Sequence, residues 1–235
     1  SCGVKPVEVR VLFRAQTMNN KTIAIINDSE VTTGSLPNDI ISKKAWDVDW
    51  DDLSLHDNYI ILGGHMGSYD DKKFTYLKEE KIWLKNAINA NAKILGICLG
   101  SQLIADAMGG AAFLSKEIEF GFKNLEFLIE DSLFDDFKYT KVFSWHRDTF
   151  NIPPGANLIA KTEYPQIYSI KNSLALQFHP EIKQDLFEKW YDSDLSRQEL
   201  ENYNVQSELN YLKENSDQLE ESMYNFYNKW IALKY

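Results

Sequence analysis

Residues 96–100 read Gly-Ile-Cys-Leu-Gly, and they join an apolar run to a segment typical of a helix. A cysteine flanked in this way has the sequence form of a nucleophile elbow, a sharp turn between a strand and a helix that needs small neighbours. The N-terminus of a helix carries partial positive charge, which favours a thiolate over a thiol. A lone buried cysteine is usually a small hydrophobe, but the two glycines and the junction favour Cys98 as a nucleophile.

A cysteine nucleophile needs a base, and one of the four histidines stands at the end of another apolar run, in ALQFHPEI. There His179 is followed two residues later by Glu181. Residues two apart on an extended backbone point the same way, so we expect the carboxylate to bind one ring nitrogen while the other faces Cys98. This contact would fix the tautomer and stabilise the imidazolium. The chain order Cys, His, Glu disfavours an α/β-hydrolase, in which the acid precedes the histidine.

An acyl intermediate also needs hydrogen-bond donors for its oxyanion. The N–H of Leu99 directly follows the nucleophile and is the first expected donor. The second is expected from the Gly63-Gly64 pair, which ends a neighbouring apolar run in ILGGHMGSYD and gives close access to the backbone. An ordinary glycine turn is the alternative reading of this pair.

The elements that must position these residues follow from three apolar runs that end in turn residues or glycine. They are KTIAII (21–26), NYIILGG (58–64) and AKILGIC (92–98). Continuous apolar strands indicate a parallel sheet that is covered on both faces. Helix-forming segments lie between the runs, one with Leu77, Leu84 and Ile88 on a single face. The alternation predicts a doubly wound α/β fold with a mostly parallel central sheet.

The C-terminal part of the chain is acidic and has the spacing of a helix. Its apolar residues step by three and four positions and are Leu219, Met223, Phe226, Trp230 and Leu233. Such a stripe is typical of a helix face that packs on its own core. A dimer interface is the alternative.

Composition limits the class of protein. The chain has 235 residues, 44% of them hydrophobic, which is enough for one sizeable core. Its net charge of −10 argues against nucleic acid as a partner. Two cysteines make no disulfide framework, and we find neither a membrane-spanning stretch nor a signal peptide, so we expect a cytoplasmic protein without a membrane partner.

The first seventeen residues differ in charge from the rest, with a net +2 against −12 for the remainder. They precede Met18, and they are compatible with a strand, a targeting peptide or an extension upstream of a start at that methionine. We interpret residues 1–17 as an extension outside the fold.

Four stretches resemble the successive signatures of class I glutamine amidotransferases. They are ILGGHMGSYD, GICLGSQLIADAMGG, FSWHRDTFNIPPGA and LALQFHPE. The resemblance is greatest to the stand-alone subfamily similar to the amidotransferase domain of GMP synthase. It implies a flavodoxin-like three-layer α/β/α sandwich for residues 18–235, including the C-terminal helical segment. It also implies hydrolysis of the glutamine side-chain amide through a γ-glutamyl thioester.

The resemblance further implies roles for single residues. Cys98 is the nucleophile, His179 the base and acid, and Glu181 the group that orients it, while Gly64 and Leu99 match the oxyanion-hole positions. The remaining matches are substrate contacts, namely Gly63, Gln102, Ser144, Trp145 and His146. The family uses no metal, and we expect neither a metal nor a cofactor.

Two classes of function remain open from the sequence. One is an enzyme that hydrolyses glutamine or a γ-glutamyl compound, and the other is a non-catalytic regulatory protein with the same fold. The complete set of Cys98, His179 and Glu181 favours the enzyme. The chain contains no Ser-Gly-Gly-x-Asp-Ser loop of the ATP pyrophosphatase domain, so it either hydrolyses its substrate alone or feeds ammonia to a separate synthetase partner.

Overall fold

A computed structural model describes residues 20–233, and the proposed extension at residues 1–17 lies outside the described residues. The strands are β1 Thr22–Ile26, β2 Ile41–Lys44, β3 Asn58–Ile61, β4 Lys93–Ile97, β5 Ala111–Lys123, β6 Glu126–Phe127, β7 Val142–Asn151, β8 Asn157–Lys161, β9 Pro165–Ile170 and β10 Ser173–Leu176. The helices are α1 Tyr76–Asn89, α2 Leu99–Ala107, α3 Asp135–Lys138, α4 Gln184–Tyr191, α5 Asp194–Glu199, α6 Val205–Glu214 and α7 Ser216–Ala232.

The central sheet has eight strands in the order β2-β1-β3-β4-β10-β9-β8-β6. The first five of these strands run parallel, and the last three continue the sheet in antiparallel pairs. The prediction of an α/β fold with a mostly parallel central sheet is confirmed. Strands β5 and β7 form a separate antiparallel ribbon with an irregularity between Leu114 and Glu119.

Two hydrophobic cores cover the two faces of the central sheet. In β1, Ile23 and Ile25 pack on the side of α1 and α2, whereas Ala24 packs on the side of α3 and α7. Both faces of the strand are therefore buried, which explains why its sequence is continuously apolar rather than alternating. The result is the three-layer α/β/α sandwich expected from the sequence.

A third core joins the β5–β7 ribbon to the helices after the sheet. Phe120 and Phe143 of the ribbon pack there with Phe187 of α4 and Leu212 of α6. The ribbon and α4 are thus held as one unit beside the carboxyl edge of the parallel strands.

The apolar stripe near the C-terminus is buried within the chain's own fold. Met223, Phe226 and Trp230 of α7 lie in the core on one face of the central sheet, and Leu219 lies in the third core. Packing of this helix on the chain's own core therefore accounts for the three- and four-residue spacing of its apolar residues. Within residues 20–233, no helix combines the length and the apolar character needed to cross a membrane.

Candidate active site

Cys98 stands in a strained turn between β4 and α2. Its φ is 51° and its ψ is −108°, a conformation rare for a residue with a side chain, and α2 begins at the next residue. The flanking glycines are required by close contacts. A Cβ atom on Gly100 would lie 2.1 Å from the carbonyl oxygen of Ile61, and one on Gly96 would lie 2.6 Å from that of Gly100. The turn therefore brings the cysteine to the N-terminus of α2.

His179 and Glu181 form a buried pair next to this turn. Nδ1 of His179 lies 2.8 Å from Oε1 of Glu181, and the two residues are 4% and 0% exposed. Burial by itself lowers the pKa of His179, but the carboxylate of Glu181 and the sulfur of Cys98 outweigh it and raise the pKa above its ordinary value. The imidazole is thus poised to hold a proton beside the cysteine.

The backbone under this pair differs from the extended strand expected from the sequence. Strand β10 ends at Leu176, and the His-Pro-Glu stretch lies in the turn that follows it. The N–H of His179 donates to the carbonyl oxygen of Phe143 at 2.8 Å, which attaches the turn to the neighbouring ribbon. The turn, rather than the alternation of a strand, brings the carboxylate to the imidazole.

The Gly63-Gly64 pair lies against both the cysteine and the histidine. A Cβ on Gly63 would lie 3.2 Å from Cε1 of His179 and 3.4 Å from Cβ of Cys98. A Cβ on Gly64 would lie 3.1 Å from a side-chain methyl of Leu99. Within residues 20–233, the N–H groups of Gly64 and Leu99 donate to no protein acceptor. Two unused donors therefore lie near the nucleophile.

A cavity of about 570 Å³ opens at Cys98 and His179. Of the other residues singled out from the sequence, those on its wall are Gly64, Gln102, Trp145 and His146. The remaining ones, Gly63, Leu99, Ser144 and Glu181, are buried next to or two residues away from wall residues. All ten therefore belong to one region of the molecule.

Gln102 and a second glutamine link the cysteine to the ribbon. Nε2 of Gln177 lies 3.7 Å from Sγ of Cys98, and its Oε1 accepts a hydrogen bond from Nε2 of Gln102 at 3.3 Å. The same Gln102 nitrogen is 3.4 Å from the carbonyl oxygen of Asp148 in β7. Gln177 was missed in the sequence, although its place two residues before His179 at a strand end was a signal for it.

His146 belongs to a second buried histidine–glutamate pair. Its Nε2 lies 2.8 Å from Oε2 of Glu119, and its Nδ1 lies 3.0 Å from the carbonyl oxygen of Asp148. Burial raises the pKa of Glu119, but hydrogen bonds from His146 and Thr162 together with the charge of His146 hold it below the ordinary value. Both ring nitrogens of His146 are thus engaged in holding the ribbon.

The outer wall of the cavity comes from α4 and α5, and sequence reasoning did not anticipate it. Trp190 packs edge-on against the ring of His179, with centroids 4.8 Å apart. Leu195 lines the wall from α5, and Nε of Arg147 lies 3.1 Å from Oε1 of Glu199, which ties α5 to β7. No local motif marks these residues, because only the packing of the C-terminal helices brings them to the site.

Within residues 20–233, no cluster of three or more His, Cys, Asp or Glu side chains is arranged to hold a metal ion.

The fold and this site together place a cysteine, a histidine and a glutamate at the carboxyl ends of neighbouring parallel strands in an α/β sandwich. Residues 16–194 match the family model of the class-I glutamine amidotransferases, and the chain belongs to that family. The resemblance inferred from the four sequence stretches is confirmed.

Individual relatives agree with this assignment. The chain is 38% identical over 104 residues to a glutamine-hydrolysing GMP synthase of Brachyspira hyodysenteriae, covering 42% of this chain and 20% of that protein. It is 36% identical over 109 residues to a protein of Pyrococcus abyssi that is named as one subunit of a glutamine-hydrolysing GMP synthase, covering 44% of this chain and 57% of that protein. The aligned regions thus span between a fifth and just over half of the length of these relatives.

Solved structures show the same fold. A glutamine amidotransferase of Thermotoga maritima superposes with a TM-score of 0.80 over 91% of this chain and 99% of its own, at 21% identity. One from Methylobacillus flagellatus gives a TM-score of 0.75 over 90% of this chain and 94% of its own, also at 21% identity. At this identity the likeness concerns the fold alone.

Proposed function

We propose that this chain hydrolyses the γ-amide bond of glutamine or of a γ-glutamyl compound through a thioester on Cys98. The observation that carries the proposal is the buried His179–Glu181 pair, 2.8 Å apart, beside a strained cysteine at a helix N-terminus. Burying a histidine and a carboxylate is costly, and a regulatory protein without catalysis has no use for both next to a cysteine.

The proposed reaction begins when Sγ of Cys98 attacks the γ-carbonyl carbon and forms a carbon–sulfur bond. The carbonyl electron pair moves to its oxygen, and the N–H groups of Leu99 and Gly64 donate to the oxyanion. As the carbon–nitrogen bond breaks, protonated His179 gives its proton to the leaving nitrogen. His179 then takes a proton from the water that attacks the thioester, and glutamate is released with the sulfur restored.

Glu181 keeps His179 in the orientation needed for both proton transfers, because its carboxylate binds Nδ1 and leaves Nε2 toward the cysteine. The amino-acid end of the substrate is proposed to contact Gly63, Gln102 and the backbone of residues 144–146. This assignment rests on the family resemblance and on the positions of Gln102, Trp145 and His146 on the wall of the cavity.

The size of the cavity supports a substrate larger than glutamine. A volume of about 570 Å³ falls in the range that holds ligands well above a single amino acid. The outer wall formed by Trp190 and Leu195 lies beside His179, the proposed proton donor to the leaving nitrogen, so we place a group attached to that nitrogen against this wall. A γ-glutamyl amide with a substituted nitrogen would fill this space, whereas glutamine would leave it to water.

The test is the release of glutamate from glutamine and from a panel of N-substituted γ-glutamyl amides by the purified chain. We expect release without a partner, and formation of γ-glutamyl hydroxamate when hydroxylamine is added to intercept the thioester. The Cys98→Ala variant, which lacks the nucleophile, should give neither product. Wild-type protein that gives neither product under any condition would contradict the proposal and favour the non-catalytic regulatory protein.

The relatives support a second candidate, an amidotransferase that supplies ammonia to a separate synthetase. The protein of Pyrococcus abyssi carries the name of one subunit of a glutamine-hydrolysing GMP synthase. If this chain works in the same way, hydrolysis will be slow alone and will rise when a synthetase from the same cell is added. The same assay with and without that synthetase distinguishes the two candidates.

A further inference from the structure

On the proposed function, the Gly63-Gly64 pair supplies one donor of the oxyanion hole. Glycine has no Cβ and adopts a wide range of backbone conformations. Two glycines in succession therefore do not by themselves fix the direction of the N–H group between them. A donor in an oxyanion hole nevertheless has to be fixed closely at the position where charge develops. Something outside the pair must therefore hold it.

Two consecutive residues after β1 contact the chain on both sides of the glycines. Nδ2 of Asn27 lies 3.4 Å from the carbonyl oxygen of Leu62, just before the pair. The N–H of His65, just after the pair, donates to Oδ2 of Asp28 at 3.1 Å. The glycines are thus held from both ends by the dipeptide that follows β1.

Both members of this dipeptide are themselves firmly held. Asn27 and Asp28 are 1% and 7% exposed. Nδ2 of Asn27 also donates to Oε1 of the buried Glu80 at 3.2 Å, and its carbonyl oxygen accepts from the hydroxyl of Tyr76 at 2.7 Å, both from α1. Rigid support of this kind is what a positioning contact needs.

The carboxylate of Asp28 has its partners fixed as well. Its Oδ1 accepts from the N–H of Glu30 at 2.9 Å, and its Oδ2 also contacts Nδ1 of His65 at 2.5 Å. Burial by itself raises the pKa of Asp28, but these hydrogen bonds lower it to about 2. The carboxylate of Asp28 is therefore ionised at neutral pH.

We propose that Asn27 and Asp28 are positioning residues that hold the diglycine so that the N–H of Gly64 meets the oxyanion. They act through the loop and do not touch the reacting atoms. The proposed catalytic residues remain Cys98 and His179. A Cβ on Gly63 would lie 3.2 Å from Cε1 of His179, whereas one on Gly64 would lie 3.5 Å from Cβ of Asp28.

The decisive variant is Asp28→Ala, with Asp28→Asn as the milder form should the first fail to fold. Loss of one oxyanion donor costs about 10²–10³-fold in kcat, so we expect kcat to fall by about 10-fold or more with little change in KM. The rate at which iodoacetamide alkylates Cys98 should stay within about twofold, because that reaction forms no oxyanion.

The hydrogen bond from the N–H of His65 to Asp28 is the main-chain tether of the diglycine. Two control variants separate the effect of this tether from other effects. Asp70→Ala removes a carboxylate that accepts from the N–H of Gly67 at 2.9 Å in the same loop, beyond residues 62–65, and should keep its kcat. His65→Ala removes the ring but keeps the N–H that Asp28 binds, and should lose less activity than Asp28→Ala. The reverse order would show that the ring, and not the main-chain tether, is what matters.

The outcomes distinguish this inference from the proposed function. An active wild type with an unchanged kcat in Asp28→Ala would overturn the inference alone, and a raised KM with an unchanged kcat would mean that Asp28 binds substrate directly. Amide hydrogen exchange at residues 63–65 measures how firmly this segment is held, and it does so independently of activity. It should be faster in Asp28→Ala than in Asp70→Ala, and equal rates would overturn the inference even if the wild type were inactive.

Discussion

A Cβ atom on Gly34 would lie 2.0 Å from the carbonyl oxygen of Glu181. The loop after β1 therefore lies directly on the turn that carries the acidic member of the proposed triad. Ser35 strengthens this contact, because its N–H donates to the same carbonyl oxygen at 3.0 Å and its hydroxyl reaches the carbonyl oxygen of Pro180 at 3.4 Å. The position of Glu181 thus depends on a glycine almost 150 residues away along the chain.

The first prediction compares Gly34→Ala with Gly155→Ala. Both glycines have positive φ, +55° and +79°, so both variants lose about 1–2 kcal/mol to backbone strain. Only at Gly34 does the new methyl group collide with the backbone of Glu181, whereas nothing lies within 4 Å at Gly155. Gly34→Ala should therefore lower both the melting temperature and kcat more than Gly155→Ala. Equal losses in the two variants would mean that the contact with Glu181 is unimportant.

The second prediction concerns the roles of the triad residues. His179→Ala should reduce turnover by at least about 10³-fold, because the imidazole is proposed to carry both proton transfers. Glu181→Gln should leave measurable activity, since it changes the orientation and charge around His179 without removing it. The double variant should be far from additive, because triad residues act as a unit. If His146→Ala proved more damaging than His179→Ala, the base would be wrongly assigned.

The third prediction concerns the reactivity of Cys98. The pKa of His179 is raised above its ordinary value, so a protonated imidazole lies beside the sulfur at neutral pH, and Cys98 also stands at the N-terminus of α2. Brief treatment with iodoacetamide at neutral pH, followed by mass spectrometry, should label Cys98 ahead of Cys2. His179→Ala should slow the labelling of Cys98 and leave that of Cys2 unchanged. Equal labelling of the two cysteines in folded wild-type protein would count against an activated thiolate.

The fourth prediction concerns the pH dependence of stability through Glu80. Its complete burial raises the pKa of the carboxyl to about 8, and the hydrogen bond from Asn27 offsets only part of this. A group with a raised folded-state pKa stabilises the fold fully below its unfolded pKa, and the contribution disappears as pH rises through the folded value. The free energy of unfolding should therefore fall between about pH 4.5 and 8 by an amount on the order of a few kcal/mol.

The measurement for Glu80 is urea unfolding of wild type and Glu80→Gln at a series of pH values. Glutamine has the shape of the protonated acid and does not titrate, so the variant should show a flatter profile over this range. Glu79→Gln, at an exposed neighbour on the same helix, should keep the slope of the wild type. A wild-type slope in Glu80→Gln would mean that other groups cause the pH dependence.

The sequence by itself determined the elements whose signals are local. The strand, the two glycines and the helix around Cys98 lie within a few consecutive residues, and sterics at a sharp turn require that order. The continuous apolar runs indicated a sheet covered on both faces, because a strand buried on both sides needs apolar residues at every position. The short spacing of His179 and Glu181 at the end of an apolar run likewise predicted that they pair, and the family resemblance implied the same roles for them.

Only the tertiary structure decided the contacts between distant segments. Strand β2 has exposed side chains and no apolar run, so its pairing with β1 depends on the backbone and left no pattern to recognise. The Glu119–His146 pair, the wall formed by α5, and the support of the diglycine by Asn27 and Asp28 join residues from separate elements. Such contacts depend on how the elements pack. The residues next to a polar side chain in the sequence do not reveal whether it is buried against a partner or exposed to water.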